Sequence, residues 1–186
     1  MRTLTAAQFW TEFLMAFESA SQNPATEVGI HYRKYGVRPG SGEVDTEWTH
    51  IMGVFLSRLA IALGFYQEWE DSNIDFAWHD EDRMKPSVAV EHENDYRKII
   101  DEEVPNLLSC PAPLKVLITY LDPPKPVAKA NLRVKNMLGA VTERFRSGKT
   151  SPAGEFAVVI GGGLEDPRDW TAYLWSGKGQ NWIPLT

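Results

Sequence analysis

The run Leu114 to Leu121 reads LKVLITYL, with one charged residue and no alternation of apolar and polar positions. A strand of this kind has no face to give to water, so helices must cover both sides of the sheet that contains it. That layering needs a sizeable core. A chain of 186 residues, 43% hydrophobic and 24% charged, can supply one α/β domain of this type but not two.

The remaining chain supplies the covering elements. Phe9, Phe13 and Phe17 recur every four residues, with Leu14 beside them, and predict a first helix ending near Ser21 to Pro24. Residues 24–44 contain Pro24, Gly29, Gly36, Pro39, Gly40 and Gly42 and break every period, which predicts a long loop or a short hairpin. A second helix is expected from an Asp45 N-cap through Trp48, Ile51, Met52, Phe55, Leu59 and Leu63, stopping at Gly64. Three extended segments follow, Phe65 to Trp69, Ile74 to Trp78 and Val88 to Glu93. A helix over Tyr96 to Leu108 then leads into the apolar strand. Pro123, Pro124 and Pro126 introduce a long helix to about Arg146, with Val134, Met137, Leu138, Val141 and Phe145 as its apolar side. Phe156 to Ile160, Thr171 to Trp175 and an edge segment around Trp182 to Leu185 complete the list.

Charge limits the partners. The formal net charge is −6, which excludes wholesale coating of a polyanion and leaves room for a local basic surface. Residues 125–149 carry seven basic side chains against Glu143 alone, and Lys125, Lys129 and Arg133 are spaced to share one helix face, suited to phosphate contacts. Arg33, Lys34 and Arg38 form a second basic stretch, where Tyr32 and Tyr35 are placed to stack on bases. An ordinary solvated helix face is the competing reading of the first stretch. Cys110, the single cysteine, has no partner for a disulfide and reads as a packing residue in a reducing compartment. With no signal layout and no apolar stretch of membrane-spanning length, the chain is expected to be soluble and cytoplasmic, without membrane contact.

The hairpin of Ile74 to Trp78 and Val88 to Glu93 carries the chemistry. Pairing centred on Arg83 sets Asp75 opposite Glu91, Phe76 opposite Val90 and Ala77 opposite Ala89. Alternation then sorts Ile74, Phe76, Trp78, Val88 and Val90 to one face and Asp75, Ala77, Ala89, Glu91 and Glu93 to the other. Opposed like charges on paired strands are destabilising, so these acids require a cation, a raised pKa or water. A hard divalent ion that prefers oxygen ligands meets the need directly, whereas a solvated hairpin end is the plainer alternative.

This order of helix, three strands, helix and strand, with Asp75 on the second strand and Val90-Glu91-His92-Glu93-Asn94 on the third, resembles the PD-(D/E)XK, or restriction-endonuclease-like, nuclease superfamily. The resemblance spans Asp45 to Leu121, and implies a core over 45–121 within one domain, 1–186, flanked by extensions 1–44 and 122–186. It implies an α-β-β-β-α-β mixed sheet flanked by helices, and hydrolysis of DNA phosphodiesters with Mg²⁺ or Mn²⁺. Asp75 and Glu91 would ligate the metal, and Glu93 would stand in for the superfamily's lysine as a second-metal ligand or water-orienting group. Some restriction enzymes of this superfamily carry Glu there and remain active. Glu47, in the first turn of the second helix, matches where many members place an additional metal-side acid, and a solvated first-turn Glu favoured by the helix dipole is the plainer alternative. Duplex cleavage favours a homodimer, since one site cuts one strand.

Several other groups compete for attention. His92 and His79 flank the motif, but alternation turns His92 to the apolar face as a hydrogen-bonded packing residue. Glu47 and His50 have di-iron spacing without a second copy, and Gly161-Gly162-Gly163 lacks the Lys-Ser/Thr of a phosphate loop. Lys98, a helical turn beyond the motif, is either a migrated replacement for the missing lysine or a solvated helix residue. Two non-catalytic readings stay open: a degenerate member that binds nucleic acid or protein, and an acidic α/β interaction protein whose hairpin acids are mere surface.

Overall fold

The computed structural model describes residues 3–30, 43–71, 73–81, 84–120, 128–148, 152–161 and 170–186; for 43–47 and 128–131 only the backbone is described. Helix α1, Ala6–Gln22, starts at a capping box in which Thr5 and Gln8 satisfy each other's backbone N–H groups. Helix α2, Glu43–Ala62, begins two residues before Asp45, so Asp45 lies inside the helix rather than capping it. Glu47 accordingly sits a little deeper than the first turn. Gly64 takes the left-handed conformation that ends this segment, as its position predicts.

Strands β1 (Tyr66–Asp71), β2 (Ile74–His79) and β3 (Pro86–His92) form an antiparallel meander. Helix α3 runs through α-helical Tyr96–Lys98, π-helical Ile99–Glu103 and α-helical Val104–Ser109. Then come β4 (Leu114–Tyr120), α4 (Ala128–Ser147), β5 (Glu155–Gly161), β6 (Trp170–Ser176) and β7 (Asn181–Leu185). The seven strands lie side by side in sequence order, with β3, β4 and β5 parallel and the outer neighbours antiparallel. Parallel neighbours require crossovers, which α3 and α4 provide.

Two apolar layers sandwich the sheet. Phe9, Phe13 and Phe17 of α1 and Trp48, Met52, Phe55 and Leu56 of α2 pack with Trp78, Val90, Val116, Ile118 and Val159. On the other side, Ile99, Val104 and Leu107 of α3 and Met137, Leu138, Val141 and Phe145 of α4 cover Ala89, Leu117, Phe156 and Val158. Alternation along β4 and β5 sends successive residues to opposite layers, so the expected doubly covered strand is realised. The face expected to hold only small residues and acids is thus itself a buried layer. Ile74 joins it against strict alternation, beside a hairpin in which Glu70 and Asn73 adopt positive φ.

The C-terminal tryptophans are packing groups. Trp170 meets Phe13 and Phe17 edge to face, while Trp182 lies against Phe145 and Trp175 and donates from Nε1 to Thr142 Oγ1 at 2.9 Å. Lys115, fully buried on β4, is accommodated by the carbonyls of Ala112 and Ala153, and burial lowers its pKa. Among the described residues no helix is long and apolar enough to cross a membrane. Phe13 touches Phe9, Trp10, Phe17, Phe55 and Trp170. Phe13→Ala is expected to cost about 3–5 kcal/mol in urea unfolding, because the α1 layer cannot collapse into the gap.

Candidate active site

The β2–β3 register follows the expected one through Phe76↔Val90, Ala77↔Ala89 and Trp78↔Val88. Beyond Phe76 the carboxylates take over from the backbone ladder. Asp75 N–H donates to Glu91 Oε2 at 3.1 Å, and His92 N–H donates to Asp75 Oδ2 at 2.9 Å. The two acids therefore stitch the strand ends together. They lie at the carboxyl end of β3, the edge of a parallel sheet segment where α/β proteins place ligands.

Glu91 is fully buried, and its Oε1 has no hydrogen-bond donor. The π-helical turn of α3 brings Glu103 against it. A π-helical insertion of this kind re-aims side chains and recurs at functional sites. Burial first, then the charges of Asp75 and Glu103, push the Glu91 carboxyl up to about 9. Asp75 is also raised, by burial and by Glu93 and Glu70, although the His92 N–H and Glu91 offset part of this; Glu103 is raised by burial and by Asp75. Near neutral pH Glu91 is therefore held towards its neutral form.

Glu93 stands slightly apart. Its N–H continues the ladder to Ile118 O, while its Oε1 accepts from the N–H groups of Asn94 and Asp95 at 2.6 and 2.8 Å. Its Oε2 lies 3.5 Å from Lys98 Nζ. The carboxylate thus folds back on the entry to α3, drawn there by two unpaired N–H donors, and Asp75, Glu91 and Glu93 do not form a set of three mutually close ligand atoms among the described residues. Lys98 is an exposed helix residue whose ammonium pairs with Glu93.

Glu103 is the site residue that the sequence reading missed. Its signal was a faint one, an acid one turn before the buried Leu107 on the helix after the motif. His92 behaves as expected: buried, with Nε2 3.0 Å from Tyr120 Oη, and pushed down to about 4 by burial. His50 packs against Trp69, with ring centroids 5.8 Å apart. Arg133 is exposed on α4, and Lys129 lies one turn before it on the same helix. Arg33, Lys34, Arg38 and Lys125 lie outside the described residues, as do Tyr32 and Tyr35, and the Glu47 and Lys129 side chains are likewise not described.

Asp75 and Glu91, with Glu103 behind them, present oxygen atoms whose pKa values are raised chiefly by burial and then by neighbouring acidic charge, and Glu91 Oε1 is left without a hydrogen-bond partner. Oxygen atoms of this kind are what a hard divalent cation prefers, but Asp75, Glu91 and Glu103 also do not form a set of three mutually close ligand atoms among the described residues. Comparison with protein-family models and with curated proteins gives no match to this chain.

The raised carboxyls make metal-free stability depend on pH. A carboxyl with folded pKa near 9 against an ordinary 4.5 contributes stability that is complete below about pH 4.5 and is lost as pH rises towards 9. His92 has the opposite sign and loses stability only as pH falls below its ordinary 6.5. Between about pH 7 and about pH 9 the chelator-treated protein is expected to melt at progressively lower temperature, and Glu91→Gln to flatten that slope. Equal slopes for the two proteins would show that Glu91 is not held protonated.

Proposed function

We propose that the chain is a divalent-metal-dependent nuclease with a restriction-endonuclease-like core, hydrolysing DNA phosphodiester bonds. The observation that carries this reading is the Asp75–Glu91 pair, cross-linked to the strand backbones and crowded by Glu103 at the carboxyl end of β3. The order of α2, three antiparallel strands, α3 and a parallel β4 agrees with the α-β-β-β-α-β pattern of that superfamily.

Asp75 and Glu91 are the residues to hold Mg²⁺ or Mn²⁺, with Glu103 supporting Glu91. When bound, such an ion would supply a water of lowered pKa and positive charge at the scissile phosphate. The protein's own groups do the rest. Glu91 would hold the ion as its carboxylate, Lys98 presents an ammonium held by Glu93, and the β2–β3 backbone keeps both carboxylates in place. Helix α4 follows β4 in the chain, and this reading assigns the basic residues Lys129 and Arg133 near its start to phosphates of a bound strand.

A second reading rests on Glu93, whose carboxylate is already engaged by backbone donors. Under it the protein binds nucleic acid without cutting. Supercoiled plasmid and single-stranded oligonucleotide incubated with Mn²⁺ separate the two. We expect cleavage that Glu91→Gln abolishes and that Lys98→Ala lowers by about 10²–10³-fold. Cleavage surviving in Glu91→Gln would refute the nuclease assignment at this site, and retarded but intact DNA would favour the second reading.

A further inference from the structure

A second group of ligands occupies the other end of β2. His79 ends that strand on the same face as Ala77 and Asp75, four residues from Asp75 and therefore about 13 Å away along the strand. Two-metal catalysis needs ions about 3.5–4 Å apart, so His79 belongs to a different site. Its side chain is 4% exposed, and neither ring nitrogen makes a hydrogen bond. A buried imidazole without a hydrogen bond is costly.

The ring points at two carboxylates. His79 Nε2 lies 3.3 Å from Asp71 Oδ2 and 3.8 Å from Glu68 Oε2, and one ligand atom from each residue lies within 4.8 Å of the others. Tetrahedral zinc, with bonds of about 2.0–2.2 Å, holds its ligand atoms about 3.3–3.5 Å apart, so these spacings need little adjustment. Two backbone irregularities produce the arrangement. A register shift between Trp78 and His79 re-aims the imidazole, and Glu70, at φ 54°, stands between Glu68 and Asp71, which strict alternation would send to opposite faces.

The three residues line a cleft of about 470 Å³ together with Met84, Lys85, Ser109, Cys110 and Pro111. Glu68 and Asp71 are partly exposed to it. We propose that Glu68, Asp71 and His79 bind a transition-metal cation of the Zn²⁺ class, with a coordination position open to this cleft. One imidazole with two carboxylates selects Zn²⁺ and its analogues over Mg²⁺, which prefers oxygen alone. Three protein ligands and an open position are the composition of reactive rather than structural zinc sites.

The test uses chelator-treated full-length Glu91→Gln protein, in which the Asp75–Glu91 cluster is crippled and this cleft is intact. Titration with Co²⁺, read by visible absorption, is expected to show one equivalent bound with nitrogen and oxygen ligation, displaced by Zn²⁺. Adding His79→Gln or Asp71→Asn should weaken binding at least about tenfold, the second change being at a partly exposed position the fold tolerates. A Zn²⁺-induced shift of the His79 Nε2 resonance gives an independent reading. No uptake by Glu91→Gln protein, or uptake unchanged by both added substitutions, would overturn the proposal. Asp71→Asn alone should leave Mn²⁺-dependent DNA cleavage at its original rate, so the two sites fail separately.

Discussion

Strand β3 is the constraint on which the rest of this protein depends. It is antiparallel to β2, parallel to β4, and covered by α1 and α2 on one side and α3 on the other, so every residue from Ser87 to His92 is buried. A strand so enclosed leaves no water for an ionisable group. Glu91 is nevertheless there, and the surrounding structure is arranged around its charge: Asp75 N–H reaches Oε2, Glu103 comes up from a π-helical turn, and the carboxyl is driven towards its neutral form. Apolar packing sets the position of β3, and that position sets the electrostatics.

The two ends of β2 carry different donor sets on one strand. Asp75 and His79 are separated by Ala77, whose small side chain leaves room on both sides. At the Asp75 end the partners are carboxylates delivered by a central strand and a helix. At the His79 end they come from β1, whose Glu68 and Asp71 retain partial access to water. Oxygen-only and mixed nitrogen–oxygen donor sets favour different cations. Burial and ligand type together therefore distinguish the two ends.

Much of the fold was legible because the signals were periodic. The β2–β3 register followed from the alternation of Phe76, Trp78, Val88 and Val90, and the unbroken LKVLITYL run announced a strand hidden on both faces. The start of α2 was misjudged because a good capping residue, Asp45, stood two residues inside the helix that backbone pairing actually made. The burial of the acid-bearing face was missed for a different reason. Ala77, Ala89 and Glu91 look like a thin polar surface, and only the packing of Ile99, Val104 and Leu107 over them closes it. Glu103 escaped notice because its approach to Glu91 depends on a π-helical turn that carries no distinctive residue pattern.

The sequence by itself determined which residues could pair and which faces had to be buried, since hydrophobic period and side-chain alternation are properties of local chain geometry. It placed Asp75 and Glu91 at the ends of adjoining strands and put Lys98 one turn beyond. Tertiary structure decided where the charges went. Glu93 turned to the free N–H groups at the entry to α3, Lys98 followed it, and His79 met Glu68 and Asp71 through a shifted register beside a residue of positive φ. These outcomes arise from competition among donors, burial and backbone irregularity over several elements at once, which no single stretch of the chain encodes.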